Sequence, residues 1–318
     1  MLDAIVRRAR WLLPLLVFAL LLPLASPWLH GRGGHVVWLL DLAVHWQWLH
    51  AIMLVPVVVA CALRDRRWLV LGLLSLLPWI TAAPRLIDAV PGSANARFTL
   101  ISANVHWSTR DPRALAAWLT AAPADVVVIL EVSPAYAQAL SQWSDYPYRV
   151  IEAAADPFGI ALLSRHPLQQ AQVLHDPRGL ASIDVAVDTP QGCVAVRAVH
   201  PMPPISPPEK VLRDQLLAAA VSELSVAARP ALIVGDFNAT PWSSALTPFA
   251  AQGWRRATAL VPTWPTWGRG WLGIPIDQVL ASAAWRRIDS RRGPDLGSDH
   301  FPVRVTLARA PSARCGTT

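Results

Sequence analysis

The chain has 318 residues, of which 53% are hydrophobic and only 15% charged, and its formal net charge is +7 with a pI near 10.3. A protein that consists only of water-soluble domains has fewer hydrophobic and more charged residues than this. We therefore expect two parts, one of which lies in a lipid bilayer. The basic excess does not by itself indicate nucleic-acid binding, because residues 1–96 hold eight arginines against four acidic residues, which leaves residues 97–318 at only +3.

The apolar excess lies at the N-terminus, where residues 1–84 are expected to form a membrane anchor. The segment 11–29 carries no charge and is long enough to cross most of a hydrocarbon core. Segments 47–63 and 68–83 have no acidic or basic side chain apart from His50, and the arginine-rich stretch 64–67 separates them. We therefore predict about three transmembrane helices. Because arginines precede the first segment, a cleaved signal peptide is the alternative for it.

The arginines that flank these segments predict the orientation of the chain. Arginine-rich flanks prefer the cytoplasmic side, so three crossings would export everything after about residue 85. An even number of crossings would leave the remainder in the cytoplasm. The expected location is the cytoplasmic (inner) membrane of a bacterium, multi-pass, with the following domain periplasmic or extracellular.

Two polar residues, Asp41 and His45, interrupt the apolar segment 36–46. We interpret this segment as an interfacial amphipathic turn with its tryptophans at headgroup depth. The alternative is that Asp41, His45 and His50 form an intramembrane proton or metal site.

The three cysteines, Cys61, Cys193 and Cys315, show no metal-ligand spacing and imply no disulfide framework. A bridge between Cys193 and Cys315 in an oxidising compartment is the alternative.

A linker at 85–96 is followed by a domain at 97–310 and a tail at 311–318. Short β-rich runs recur along this domain, at 98–105, 126–130, 159–164, 181–187, 193–199, 231–234, 276–281 and 303–307. Helices are expected at 112–121, 134–143 and 208–228, with prolines in their first turns. The mixture predicts an α/β (α+β) fold with two sheets.

Polar residues follow or begin several of these strands. Gly235-Asp236-Phe237-Asn238 comes directly after an apolar run, and alternate residues of an extended chain point to the same face, so Asp236 and Asn238 can address one phosphate. Ser298-Asp299-His300 adds a carboxylate beside a histidine. The other strand-end residues are Asn104, Glu131, His200 and Asp277. Taken singly, Asn104, Glu131 and Asp277 could instead cap a turn or a helix start.

In order and context these motifs resemble those of the endonuclease/exonuclease/phosphatase superfamily, whose fold is that of pancreatic deoxyribonuclease. The resemblance covers about residues 97–308. It implies a two-sheet β-sandwich flanked by helices, and a phosphodiesterase or nuclease that depends on Mg²⁺ or Mn²⁺, ions that prefer hard oxygen ligands. Together with the predicted anchor at 1–84, we expect a membrane-anchored enzyme.

The resemblance also implies roles for individual residues. Glu131 would be the main metal ligand, with Asn104 and Asp299 nearby. His300 would be the general base, oriented by Asp277. The remaining expected site residues are Asp236 and Asn238, which would position water and phosphate, His200, which would donate to phosphate oxygens, and the loop tryptophans Trp264 and Trp267, which would face the substrate.

Several alternatives remain open at this point. The expected partners are the membrane and a phosphoester substrate, either nucleic acid or a lipid or other small molecule, with no obligate protein partner evident. A lipid or small-molecule phosphoester hydrolase at the membrane surface and a non-catalytic membrane-tethered binding module are the alternative functions. The residues do not distinguish a diesterase from a monoesterase, or endo- from exonucleolytic cleavage.

Overall fold

The computed structural model describes residues 1–89, 96–226, 229–309 and 313–315. Parts of the predicted linker 85–96, of the predicted tail 311–318 and of the predicted end of the helix 208–228 lie outside the described residues. Within the described ranges the chain forms an N-terminal group of helices followed by two mixed β-sheets flanked by helices. The predicted fold class is confirmed.

The N-terminal group consists of five α-helices joined by short segments and by two 3₁₀ helices. The α-helices are α1 (Leu2–Leu21), α2 (Ser26–Leu29), α3 (His35–Val44), α4 (Gln47–Ala62) and α5 (Leu77–Thr81), and the 3₁₀ helices are Leu22–Ala25 and Arg66–Leu76.

Twelve strands and four α-helices follow among the described residues. The strands are β1 (Ala96–Asn104), β2 (Val126–Leu130), β3 (Tyr148–Glu152), β4 (Ile160–Ser164), β5 (Leu168–His175), β6 (Ala181–Thr189), β7 (Gly192–Val199), β8 (Ala231–Asp236), β9 (Arg255–Arg256), β10 (Asp277–Ala281), β11 (Arg286–Arg292) and β12 (Val303–Arg309). The helices are α6 (Arg113–Ala121), α7 (Pro134–Leu140), α8 (Pro207–Val226) and α9 (Thr247–Ala251), with 3₁₀ turns at Ser244–Leu246 and Trp267–Gly270.

The strands form two six-stranded sheets, in the orders β11-β12-β1-β2-β4-β3 and β5-β6-β7-β8-β10-β9. In each sheet one central pair is parallel, β1 with β2 and β7 with β8, and the other pairs are antiparallel. Alternate residues of the central strands point inward to a shared core, for example Leu100 and Val128 from one sheet and Val196 and Leu232 from the other. Helices α6 and α7 cover the outer face of the first sheet, and α8 covers that of the second.

The helices of the N-terminal group pack against one another and against the sandwich. Leu13, Leu16 and Leu20 of α1 lie against Leu54 and Val58 of α4. The two helices run antiparallel, because Gln47 at the start of α4 donates to the carbonyl of Ala19 near the end of α1 at 2.9 Å. Arg64 pairs with Asp3 at one end of this bundle. At the other end, the indole of Trp242 donates to the carbonyl of Pro78 at 2.8 Å. The arginine-bearing end is thus the end distant from the sandwich.

Among the described residues, one helix is long and apolar enough to cross a membrane, the continuous run Leu2–Leu29, in which an 18-residue window has a mean hydropathy of 2.1. The pair α3 and α4, bent by 73°, would be a second if counted as one span. An N-terminal signal sequence satisfies the same criterion. The predicted third span, 68–83, is not one continuous α-helix but the 3₁₀ helix Arg66–Leu76 followed by α5, so the prediction of three transmembrane helices is not supported by this criterion.

A disulfide bond joins Cys193 to Cys315, which corrects the expectation that the cysteines form no bridge. Cys193 lies at the start of β7, and the chain near Cys315 returns to the same place, where Arg314 pairs with Asp188 of β6 at 2.6 Å. The two cysteines are 122 positions apart in sequence, so only the fold brings them together. Cys61 is free and buried.

Candidate active site

Six segments bring their polar residues to one edge of the sandwich. The carboxyl ends of the parallel pairs β1/β2 and β7/β8 lie there, and so do the starts of β10 and β12, because these two strands run antiparallel to β8 and β1. Asp277 is the register partner of Asp236 across the β8/β10 pair. The strand topology therefore places the polar strand-end residues around one cavity.

This cavity has a volume of about 510 Å³, which is the size of a small-molecule site. Seven of the ten site residues expected from the sequence line it: Glu131, His200, Asp236, Asn238, Trp264, Asp299 and His300. Asn104 and Asp277 do not line the cavity but hydrogen-bond to residues that do. Trp267 is the exception and is treated below.

The backbone at the end of β8 has a conformation that depends on Gly235. A Cβ atom at this position would lie 1.9 Å from the carbonyl oxygen of Val199 on the adjacent strand β7, so no larger residue fits without a backbone shift. Two residues later, Asn238 adopts a left-handed backbone conformation with φ of 47°. Its backbone N–H donates to the Asp236 carboxylate at 2.8 Å, and its side-chain amide donates to the carbonyl of Pro201 at 3.0 Å. The turn thus fixes both side chains relative to the loop after β7.

Two histidines and two aspartates form a buried cluster in the cavity. His300 Nδ1 lies 3.0 Å from the Asp277 carboxylate, and its Nε2 lies 3.6 Å from the nearer Asp236 oxygen. The same Asp236 oxygen is 3.7 Å from His200 Nε2. Asp277 therefore orients the ring of His300 so that its second nitrogen faces the cavity.

The cluster has strongly shifted pKa values. Burial alone would lower the pKa of His300, but the negative charges of Asp277 and Asp236 outweigh it and raise the pKa to about 10. Burial raises the pKa of Asp236 to about 7, although the charge of His300 acts in the opposite direction. Burial and the charge of His300 lower the pKa of His200 to about 4. These shifts favour the protonated form of His300 and the neutral form of His200 at neutral pH.

A second group of side chains supplies oxygen ligands. The Asn104 amide donates to one oxygen of Glu131 at 2.8 Å, and the backbone N–H of Trp107 donates to the other at 2.8 Å. Trp264 donates from its indole to Asp299 at 3.0 Å. Each carboxylate keeps free lone pairs, and a set of oxygen donors suits a hard divalent cation.

The buried cluster offers a further set of metal-ligating atoms. Those of Asp236, Asp277 and His300 lie within 4.8 Å of one another, so this group could also hold an ion. His300 Nδ1 is already engaged with Asp277, whereas the oxygens of Glu131 and Asp299 face the cavity from outside that pair. The residues of the cavity thus fit a divalent metal.

The two loop tryptophans differ in position. Trp264 lines the cavity, and its ring centroid is 6.3 Å from that of His300. Trp267 is 65% exposed and lies in a separate, more open depression on the other side of Asp299. The structure therefore places Trp264, but not Trp267, against the cavity.

Several lining residues were not foreseen from the sequence. Phe158, on the loop before β4, places its ring centroid 5.4 Å from that of His200. Leu42, His45 and Trp46 come from the N-terminal helices and form one wall of the same cavity. Single hydrophobic residues carry no motif, so the only available signal was the interruption of the apolar segment 36–46 by Asp41 and His45.

Asp41 and His45 have a role that neither interpretation of the sequence anticipated. Asp41 is fully buried and accepts a hydrogen bond from Arg213 of α8 at 2.8 Å. His45 Nδ1 accepts from the backbone N–H of Thr240 at 3.2 Å. Both residues thus join α3 and the turn after it to the sandwich, directly beyond the turn that carries Asp236 and Asn238.

Comparison with known proteins gives one family. The family model described as Endonuclease/Exonuclease/phosphatase family matches residues 101–300. No curated protein matches the chain. The matched region contains all ten site residues expected from the sequence, and it leaves the N-terminal helices outside.

Solved structures show the same fold at low sequence identity. A D. rerio TDP2 humanised by 14 mutations has a TM-score of 0.57 at 16% identity, covering 66% of this chain and 98% of that one. An endonuclease/exonuclease/phosphatase from Beutenbergia cavernae has a TM-score of 0.57 at 21% identity, covering 67% and 72%. The 3' phosphatase NExo from Neisseria, bound to a product DNA hairpin, has a TM-score of 0.53 at 19% identity, covering 65% and 98%.

Proposed function

This chain belongs to the endonuclease/exonuclease/phosphatase family, and on that premise we propose that it is a membrane-anchored, divalent-metal-dependent phosphodiesterase. Members of the family are hydrolases that act on phosphoesters. One observation carries the proposal. The Glu131 and Asp299 carboxylates line the same cavity as His300, which is hydrogen-bonded to Asp277.

Glu131 and Asp299 are the proposed metal ligands, with Asn104 in support. A divalent cation held there would neutralise phosphate charge and polarise the phosphorus–oxygen bond. Asn104 holds Glu131 through its amide, so its role is to orient the carboxylate. The requirement for a metal belongs to the family, and Mg²⁺ or Mn²⁺ is the proposed ion because the donors are hard oxygens.

His300 is the proposed general base. In hydrolysis, a water oxygen bonds to phosphorus, the bond to the leaving oxygen breaks, and the proton taken from water is returned to that oxygen. His300 Nε2 faces the cavity while Asp277 holds Nδ1, which is the geometry needed to accept that proton. A divalent cation bound near His300 would add positive charge and lower the pKa of its ring. A lower pKa is needed because a general base must be unprotonated at neutral pH.

Asp236, Asn238 and His200 are proposed to position the water and the phosphate. Asp236 lies 3.6–3.7 Å from both histidines and can accept a hydrogen bond from the attacking water. His200, neutral at pH 7, can donate one hydrogen bond to a phosphate oxygen without adding charge. Asn238 lines the cavity next to them.

We propose residues 1–84 as the membrane anchor and three passages of the chain through the bilayer. The α1–α2 run, α4 and the segment 66–81 each extend between the arginine-bearing end and the sandwich. A 3₁₀ helix rises about 2.0 Å per residue, so Arg66–Leu76 with α5 reaches about 30 Å in spite of its short sequence. A signal sequence cleaved after Ala25 would remove α1, and Leu54 and Val58 of α4 would lose their packing partners, which favours an anchor.

The catalytic part is proposed to lie outside the cytoplasm, in the periplasm if the chain is bacterial. The arginine-bearing end is opposite to the sandwich, and such ends prefer the cytoplasm. The bond between Cys193 and Cys315 is supportive, because disulfides persist in oxidising compartments. Peptide mapping of protein extracted from membranes without reductant should recover the two cysteine peptides linked; recovery of both as free thiols would remove this support.

The test of the catalytic proposal uses the full-length protein in nonionic detergent, stripped of metal, with an aryl phosphodiester. Hydrolysis should require added Mg²⁺ or Mn²⁺ and should fall by at least about 10²-fold in His300→Ala, since a general base contributes roughly 10²–10⁴. The matched control is His175→Ala, an exposed histidine of the edge strand β5, which should retain activity. Equal activity of His300→Ala and wild type would refute the assignment.

A further inference from the structure

The N-terminal helices complete the catalytic cavity. Leu42 of α3 and Trp46, at the junction with α4, line it together with His45. The family match begins only at residue 101, so this wall is an addition to the family domain. Ile205, Ile274 and Ile276 add further apolar side chains to its lining. The cavity therefore combines the polar residues of the candidate site with a substantial hydrophobic surface.

The wall is fixed in position by a buried ionic network. Asp41, which precedes Leu42, accepts hydrogen bonds from Arg213 at 2.8 Å and from the hydroxyl groups of Ser243 and Ser244 at 3.2 and 3.1 Å. Arg213 also donates to the backbone carbonyl of Asn238 at 3.1 Å. The network thus joins the helix that carries Leu42 to the turn that carries Asn238.

Lys210 strengthens the same junction. It is fully buried, and its ammonium group donates to Asp214 at 2.8 Å and to the carbonyl of Leu29 at 2.6 Å. Asp214 in turn accepts from the backbone N–H of Gly31 at 3.1 Å. Buried charges are retained only where their partners are in place. The N-terminal helices and the sandwich therefore form one folded unit at this point, rather than two bodies on a flexible tether.

An exposed apolar rim connects the cavity with the surface of α4. Trp271 and Leu272 are 84% and 54% exposed, and they border a groove whose other side is Leu49 and Ile52 of α4. The same groove includes Ile274, which also lines the cavity. Contiguous exposed apolar surface next to helices that can enter a bilayer marks contact with lipid, and exposed tryptophan is typical of headgroup depth.

The cavity offers little to a polyanion. Among the described residues that line it, none is a lysine or an arginine. Arg269 and Arg292 lie in the separate depression beyond Asp299, where Arg292 stacks on Phe301 and donates to the carbonyl oxygens of Pro262 and Arg269. Nucleic-acid sites instead combine a basic groove with stacking surfaces.

From these observations we infer that the substrate of the proposed phosphodiesterase is an amphiphilic phosphoester drawn from the bilayer, whose apolar group lies against Leu42, Trp46 and Ile205 while its phosphate faces His300. The inference rests on the proposed function. The helices contribute specificity, and the rim of Trp271 and Leu272 holds the cavity mouth at the membrane surface.

The first test measures kcat/KM of the full-length protein for a series of alkyl p-nitrophenyl phosphates with methyl, butyl and hexyl groups, and for thymidine 5'-p-nitrophenyl phosphate. A buried methylene is worth roughly a fourfold gain, so the hexyl ester should exceed the methyl ester by about tenfold or more. It should also exceed the nucleotide ester. Equal values along the alkyl series, or a preference for the nucleotide, would overturn the inference and leave the proposed function intact.

The second test uses the cavity wall. Leu42→Ala should lower kcat/KM for the hexyl ester by roughly five- to tenfold and leave the methyl ester within about twofold, because only the long chain reaches the lost side chain. The matched control is Leu39→Ala on the same helix, a 56% exposed residue outside the cavity, which should leave both values unchanged. An equal loss on both esters in Leu42→Ala would indicate a purely structural role and contradict the proposal.

The third test separates the bilayer from free solution. The double variant Trp271→Ser, Leu272→Ser should reduce hydrolysis of hexadecyl p-nitrophenyl phosphate in mixed micelles and leave the water-soluble hexyl ester unaffected. No difference between the two substrates would exclude entry over this rim. Absence of metal-dependent hydrolysis of every ester, from methyl to nucleotide, would instead refute the proposed function itself.

Discussion

At the scale of single residues, the ring of His300 is held between two carboxylates that act in different ways. Asp277 bonds to Nδ1 at 3.0 Å and sets the tautomer, whereas Asp236 lies 3.6 Å from Nε2, on the side of the cavity. Asp277→Asn keeps the shape but presents an amide, which can stabilise the wrong tautomer and no longer stabilises the imidazolium. We expect kcat to fall by about 10²–10⁴-fold, with little change in KM.

This loss is measured by steady-state kinetics with added metal, beside thermal unfolding of the same samples. A parallel collapse of the unfolding midpoint would assign the loss to misfolding. An unchanged kcat in a folded Asp277→Asn protein would show that the pair does not take part in catalysis.

His200 gives a prediction about pH and stability. Its folded pKa of about 4 lies below the value near 6.5 of an exposed histidine. Between these two values the unfolded chain binds more protons than the folded one, so stability falls as the pH drops from about 6.5 to about 4. The full effect is of the order of 3 kcal/mol.

His200→Asn removes this contribution. Its thermal midpoint, measured in detergent by intrinsic fluorescence, should fall less than that of wild type between pH 7 and pH 4.5. Parallel curves for the two proteins would mean that His200 is not the neutral, buried group described here.

Most of the polar residues that line the candidate cavity could be named from the sequence, because motif residues stand next to strand ends and the strands were recognisable. Glu131, Asp236 and His300 are examples. The sequence did not predict Leu42 or Trp46, since an apolar residue in an apolar segment carries no local sign of what it faces. Trp267 was assigned with Trp264 because the two belong to one loop, but the 3₁₀ turn at Trp267–Gly270 directs it to a different depression.

At the scale of elements, the parallel pair β7/β8 sets the geometry of the site. Gly235 allows the backbones of these two strands to approach each other closely. Gly235→Ala would place a Cβ 1.9 Å from the Val199 carbonyl oxygen, and relieving this contact must move β8 or β7. His200 and Asp236 follow these two residues directly. We expect a loss of about 3 kcal/mol in stability together with a large loss of hydrolysis.

Gly253→Ala is the control for this prediction. Gly253 also has a positive φ, of 82°, but a Cβ there meets nothing within 4 Å. It should cost only backbone strain of about 1 kcal/mol and leave hydrolysis unchanged. If both variants behaved alike in thermal unfolding and in activity, close approach of the strands would not be the reason for Gly235.

The predictability of the strands depended on their place in the sheet. The eight strands predicted from apolar or alternating runs are all present, and all eight lie inside a sheet. The four edge strands are β3, β5, β9 and β11. None of these four is among the eight strands predicted above. An edge strand buries less of each side chain, as the mostly exposed β5 shows, so its sequence carries a weaker pattern.

At the scale of the whole molecule, a buried ionic network holds the N-terminal helices to the sandwich. Asp41→Ala would leave Arg213 buried with one carboxylate fewer, and breaking a buried pair in this way costs about 3–5 kcal/mol. The double variant Asp41→Ala, Arg213→Met should recover part of that stability, because it leaves no charge unpaired.

The matched control is Asp88→Ala, which removes a solvent-exposed carboxylate that pairs with Arg85 and Arg287 and should cost at most about 1 kcal/mol. Thermal unfolding of the four proteins in detergent tests the comparison. A loss in Asp41→Ala no greater than that in Asp88→Ala would mean that the helices and the sandwich are not coupled through this network.

Long-range features of the molecule were the least accessible to sequence reasoning. The Cys193–Cys315 bond and the pairing of Asp41 with Arg213 join positions 122 and 172 residues apart. Neither has a spacing rule that could reveal it. The hydrophobic segments at 11–29, 47–63 and 68–83 were visible, but whether an apolar segment is one straight helix depends on packing: α3 and α4 bend by 73°, and the third segment is largely 3₁₀.

The central claim is that the oxygen ligands around Glu131 hold a divalent cation that the hydrolysis of phosphodiesters requires. The most direct measurement is a titration of Mn²⁺ into metal-free, full-length protein while p-nitrophenol release from an aryl phosphodiester is followed, for wild type and Glu131→Gln. The account predicts no hydrolysis without metal. It also predicts that Glu131→Gln needs at least about tenfold more Mn²⁺ than wild type to reach half-maximal hydrolysis, because the variant has lost one charged ligand. Metal-independent hydrolysis, or the same midpoint in both proteins, would contradict it.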